Sequence, residues 1–134
     1  MATWDDVRRL ALALPETSEG LRWRNATWFV AGKNGFVWER PLSKTDVRQL
    51  GELGQEVPEG ELLGVRIENV GVREALIADD PAIWLTIPHF ADYPAVLLKL
   101  DDVEPDELEE ILEDAWLVCA PKKLADAYLA EREA

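Results

Sequence analysis

Two runs of aromatic and β-branched residues, ATWFVA at 26–31 and GFVWER at 35–40, are separated by Gly32, Lys33, Asn34 and Gly35. Such runs favour extended backbone, because branched and ring side chains pack well on a pleated surface, and the residues between them are turn formers. The pattern predicts a β-hairpin. Strand alternation then puts Trp28 and Val30 on one face and Phe29 and Ala31 on the other.

Helical periodicity brackets this hairpin. Val7, Leu10, Ala11 and Leu14 recur at i, i+3, i+4 and i+7 behind Thr3, with Asp6 completing a capping-box-like start and Pro15 ending the run. A short helix is expected near 45–52, starting at Thr45, and the Gly- and Glu-rich stretch Gly51–Gly60 reads as a loop. Leu63, Val65 and Ile67 alternate with Gly64, Arg66 and Glu68, which suits a strand with one wet face, followed by a helix near 71–79. Ile83–Ile87 and Ala95–Leu100 are further strand candidates, divided by the two prolines of PHFADYP. Pro105 opens a helix that turns Leu108, Ile111, Leu112, Ala115 and Trp116 inward and a glutamate-rich face outward, and Pro121 opens a last helix carrying Leu124 and Tyr128. The order predicts an α+β fold, a single domain over 1–134 with an antiparallel sheet of about five strands and helices packed on it.

Charge divides the chain unevenly. Residues 1–50 carry 8 Lys and Arg against 6 Asp and Glu, whereas residues 51–134 carry 6 against 21, so the net charge runs from +2 to −15. An anionic partner is therefore expected at the first third, around Arg22, Arg24, Lys33, Arg40, Lys44 and Arg48. The overall charge of −13 opposes general affinity for nucleic acid or for an anionic membrane. Cys119 is alone and cannot close an internal disulfide, and neither a signal peptide nor an apolar run of about 18 residues is present, so the expected setting is the reducing cytoplasm.

Motifs for catalysis are weak. The sole histidine, His89, with Asp92 and Tyr93 close by, is the best candidate for proton transfer, but Ser18 and Ser43 stand in turn or cap contexts and Cys119 follows an apolar helix face as a small core residue would. His89 and Asp92 are too few for a zinc site, the glutamates at 107, 109, 110 and 113 suit a solvated helix face, and GKNG at 32–35 joins strands instead of opening a helix as a phosphate loop does. No enzymatic activity, cofactor or metal is expected. Trp84 and Trp116, two of six tryptophans, fall on apolar periodicities and read as core.

ALALPETSEG at 11–20, the aromatic strand and glycine-lysine turn at 28–35, TIPHFADYPAVLLKL at 86–100 and DAWLVCAPKKLADAYL at 114–129 together resemble the MmcQ/YjbR family of small bacterial proteins. The resemblance implies a two-layer α+β fold like that of secretion-chaperone domains, and DNA binding, with no shared catalytic motif to carry across. On this chain DNA contacts would fall to Arg22, Trp23, Arg24, Lys33, Arg40 and Lys44, with Arg22-Trp23-Arg24 pairing phosphate contact with base stacking. The plainer reading of the same residues is a loop anchor flanked by solvated or ion-paired arginines. The alternative function is a protein- or small-ligand-binding groove built from Trp38, His89, Phe90 and Tyr93, extended by Trp23 if these rings are exposed together. Either reading allows a monomer or a homodimer.

Overall fold

The structure, a computed structural model, describes residues 1–133. Strands β1 (Thr17–Arg22), β2 (Asn25–Val30), β3 (Asn34–Glu39), β4 (Leu62–Arg66), β5 (Trp84–Leu85) and β6 (Ala95–Lys99) form one antiparallel sheet in the order β1-β2-β3-β4-β6-β5. Helices α1 (Trp4–Leu12), α2 (Lys44–Glu52), α3 (Val70–Asp79), α4 (Pro105–Cys119) and α5 (Lys122–Glu133) pack on it. Among the described residues no helix is long and apolar enough to cross a membrane.

The larger core lies between one sheet face and α1, α3, α4 and α5. Val7 and Leu10 of α1, Trp28 and Val30 of β2, and Leu108, Leu112 and Trp116 of α4 are buried together there. A β-bulge enlarges this face: Trp28 pairs with Val37 but Phe29 pairs with Gly35, so Phe36 is the extra residue, and both Phe36 and Val37 are buried in the same core. Two polar ties close it. Trp116 Nε1 donates to the Pro15 carbonyl at 3.0 Å, and Glu19 accepts from Arg8 Nε and Nη2 at 2.8 Å and from Trp28 Nε1 at 2.9 Å, which staples α1 to the edge strand.

The opposite sheet face carries a smaller apolar cluster. Leu50 of α2 and Phe90 of a single 3₁₀ turn, Pro88–Phe90, bury Leu62, Ala95 and Leu97 against Ile87. This cover spans β3 to β5 and stops short of β1 and β2, although Thr27 is itself buried on that side and Phe29 lies under the Arg22 guanidinium. A half-covered face next to a step of side chains makes a cleft, and the topology places it against the hairpin that opened the sequence.

The α+β class and antiparallel sheet agree with the sequence, but four details differ. The sheet has six strands, because Thr17–Arg22 is extended although it lacks apolar alternation. Leu62–Val65 are buried at every position, since β4 has cover on both faces, so it has no wet face. Helix α2 starts at Lys44, with Ser43 as its N-cap: Asp46 N donates to Ser43 Oγ at 3.1 Å and Ser43 N donates to Asp46 Oδ2 at 2.9 Å, a full capping box that outcompetes Thr45. The Ile83–Ile87 candidate shortens to two strand residues, because Ile83 N and Trp84 N donate back to the Asp80 carbonyl in a turn and Pro88 stops the run.

Candidate functional site

One row of residues across the sheet sets the floor of the cleft. Gly20 pairs with Thr27, Thr27 with Trp38, and Trp38 with Gly64, so all four side-chain positions point to the half-covered face. Gly64 has no side chain, and the Trp38 indole fills the space this leaves. Phe90 meets Trp38 edge-on at 6.5 Å between centroids and lies 6.3 Å from Tyr93, forming an aromatic far wall. The near wall is the β1-β2 turn, where Arg22, Trp23 and Asn25 overhang the floor. The cleft, broadly open to solvent on one side, measures about 750 Å³.

A buried arginine holds the far wall. Arg73 on α3 is only 7% exposed and donates to the carbonyls of Ala91, Tyr93 and Ala95. Those three bonds clamp a segment in which Ala91 adopts φ +29°, a conformation that a free loop would leave. Arg66 adds a second cation behind the same wall, with its guanidinium 5.2 Å from the Tyr93 ring centroid and its Nε donating to the Pro94 carbonyl at 3.2 Å.

At the cleft rim Arg40 is tied down by Asp46, whose Oδ2 lies 2.9 Å from its guanidinium. Burial opposes ionisation of Asp46, but the Ser43 backbone and hydroxyl bonds and the Arg40 charge outweigh it and hold the carboxyl below its ordinary 3.8. A depressed folded value makes the contribution of Asp46 complete above 3.8 and lost as pH falls through the folded value. Asp46→Asn is accordingly expected to lower unfolding stability by about 2 kcal/mol at pH 6, from lost charge-assisted bonds. Urea unfolding of wild type and variant between pH 6 and pH 3 checks this, because the difference should shrink at the acid end.

The cleft joins residues that the sequence had assigned to two separate functions. Arg22, Trp23 and Arg40, the nucleic-acid candidates, line it with Trp38, His89, Phe90 and Tyr93, the groove candidates. Arg24, Lys33 and Lys44 are exposed but do not line it. Lys33 occupies the opposite end of β2, about 20 Å from the Trp23 turn at the usual strand rise. Trp23 is 89% exposed and anchors nothing, which corrects the loop-anchor expectation. Arg73 was absent from the sequence reading. Its signal was a cation in the stripe Val70, Arg73, Ile77, where helical spacing calls for an apolar residue.

Of the remaining chemical candidates Cys119 stands apart from the cleft, whereas Ser43 and His89 are on its lining. Cys119 is buried, burial pushes its thiol up, and it lies against the larger core. Ser43 spends its hydroxyl on the α2 cap. His89 is exposed and touches Phe90 at 6.4 Å between ring centroids. Among the described residues no three His, Cys, Asp or Glu side chains gather as metal ligands. A second, smaller cleft of about 330 Å³ lies between α3 and α4 and is mainly apolar, with Asp114 on its rim. Burial, with Glu113 and Glu110 nearby, raises that carboxyl above its ordinary value.

Comparison with known proteins places these features in a family. A family model described as YjbR matches residues 12–118. The uncharacterized proteins Rv2570 of Mycobacterium tuberculosis and Mb2600 of Mycobacterium bovis are each 47% identical over 132 residues, covering 97% of this chain and 98% of theirs. A crystal structure of Deinococcus radiodurans protein DR2400, with a domain described as DUF419, superposes with a TM-score of 0.64 at 19% identity, covering 98% of this chain and 88% of that one. That likeness carries the fold.

Proposed function

The chain belongs to the YjbR family, and we propose that it works by binding, without turnover, and that its cleft receives a small anionic ligand. One observation carries this reading. Acidic residues number 27 in 134, yet the cleft lining holds Arg22, Arg40 and His89 and no carboxylate; Asp46 behind Arg40 offsets that one charge and leaves Arg22 as the unpaired cation. In an acidic protein a carboxylate-free concavity with apolar walls focuses positive potential, so an anion is drawn there despite the net charge of −13. The volume of about 750 Å³ falls among clefts that enclose a small molecule.

Duplex DNA is the second reading, favoured by the exposed Trp23-Arg24 tip, which offers one ring and one cation to a strand. Its weakness is extent: a duplex site draws affinity from many phosphate contacts over a long basic surface, and Lys33 and Lys44 do not extend the cleft. Two measurements separate the readings. Millimolar inorganic phosphate is expected to raise the melting temperature saturably, and Arg22→Gln to remove the rise. A labelled 20-base-pair duplex is expected to bind no tighter than about 10⁻⁴ M at 150 mM salt. Micromolar duplex binding with a steep salt slope, and no response to phosphate, would replace the first reading by the second.

A further inference from the structure

We infer that the ligand is a planar ring system bearing one anionic group, a phosphate or a carboxylate, with the anion on Arg22 and the ring against Trp23. The inference rests on the reading of the cleft as an anion site and goes beyond it by naming the ligand class.

Arg22 is the cleft cation whose hydrogen-bonding capacity is unspent. Among the described residues its guanidinium has no ion pair or hydrogen bond, whereas Arg40 is held by Asp46 and by the Pro41 carbonyl. Arg22 is nevertheless positioned. Its guanidinium carbon lies 5.0 Å from the Phe29 ring centroid, and Gly35 leaves room beside it, since a Cβ there would fall 3.4 Å from one terminal nitrogen. Stacking fixes the plane of a guanidinium while leaving its N–H edges free, which is the arrangement that takes an oxyanion through two parallel bonds.

Trp23 supplies the ring-binding surface, and the backbone shows that its place is held against a local preference. Arg22 pairs with Asn25, so Trp23 and Arg24 form a two-residue hairpin turn, and both have positive φ, +55° and +68°. Such turns are normally Asn-Gly, because a bulky side chain is disfavoured in that conformation. Here the turn carries a tryptophan that is 89% exposed and contributes nothing to either core. A strained, exposed ring at the mouth of a cleft that the Trp38 indole also lines suits a flat ligand and has no folding use.

Isothermal titration with adenosine monophosphate, its ring half adenosine and its anion half ribose 5-phosphate tests the inference, with indole-3-acetate beside indole as the carboxylate arm. At least one ring-bearing anion is expected to bind tenfold or more tightly than either of its parts, and the arm that does so tells phosphate from carboxylate. Arg22→Gln should abolish the advantage over the neutral ring. Trp23→Asn should abolish the advantage over ribose 5-phosphate while raising the melting temperature by a few degrees, because asparagine tolerates positive φ. A purely structural Trp23 would move the melting temperature the other way. If ribose 5-phosphate binds as tightly as adenosine monophosphate and indole-3-acetate binds no better than indole, the ring class is overturned while the anion site stands. Failure of every compound to bind, ribose 5-phosphate included, would overturn the anion site and the ring class together.

Discussion

Replacing Arg73 by methionine is expected to lower the unfolding free energy by about 3 kcal/mol and to weaken ligand binding more than tenfold, although Arg73 does not line the cleft. Methionine keeps the apolar stem of the side chain but removes the donors that reach the Ala91, Tyr93 and Ala95 carbonyls. Each buried carbonyl left without a donor costs roughly 1–3 kcal/mol, and because 91–93 are exposed, water recovers part of the sum. The far wall would then relax. Ala91 at φ +29° keeps its N–H bond to the Pro88 carbonyl and its buried neighbour Phe90, so the shift is expected mainly at Tyr93 and the freed 91–95 carbonyls. Lysine at 73 should rescue little, since a point charge does not reproduce the fork that spans three carbonyls. Urea midpoints give the stability term, and hydrogen exchange over 88–95 gives the local one. Unchanged exchange in that segment, with stability lowered, would mean that Arg73 supports α3 alone.

Arg73 also shows where the sequence stops being legible. The elements with strong periodicity, α1, α4 and the β2-β3 hairpin, were readable because their apolar spacing matches one period and their boundaries carry cap or turn residues. Strand β1 was not, because TSEGLR has no apolar alternation and is extended through its pairing with β2 from Thr17↔Val30 to Arg22↔Asn25 and through the Glu19 bonds to Arg8 and Trp28. Both are long-range facts. The burial of Gly64 was equally hidden: the alternation around it suggested a wet face, whereas α2 and the 3₁₀ turn cover the side on which Trp38 fills its missing side chain. The site residues were recognised as types, cations with a tryptophan in one segment and rings around a histidine in another. Their union was not readable, because it depends on strand order, which brings residues near 22 and near 90 to opposite sides of β3.

Gly64 is where that union is most exposed to disruption. A Cβ placed there would fall inside the envelope of the Trp38 indole, 2.7 Å from Cζ2 and closer still to Cε2 and Nε1. Real side chains do not approach so near, so Gly64→Ala is expected to push the indole up into the cleft and lower stability by about 2 kcal/mol, the usual cost of overpacking. The backbone of Gly64 is ordinary strand, so the cost is steric contact with one ring. This makes it reversible. Trp38→Leu in the Gly64→Ala background should recover most of the lost stability, giving a coupling of about 1–2 kcal/mol in the double-mutant cycle, as contacting residues do. Binding should not recover, because the floor against which a flat ligand lies would be gone. Chemical unfolding of the four proteins measures the coupling, and titration of the same four measures the binding. Additive stabilities would show that something other than the indole occupies the space above Gly64. Recovered binding in the double variant would show that the ligand does not use Trp38 as its floor.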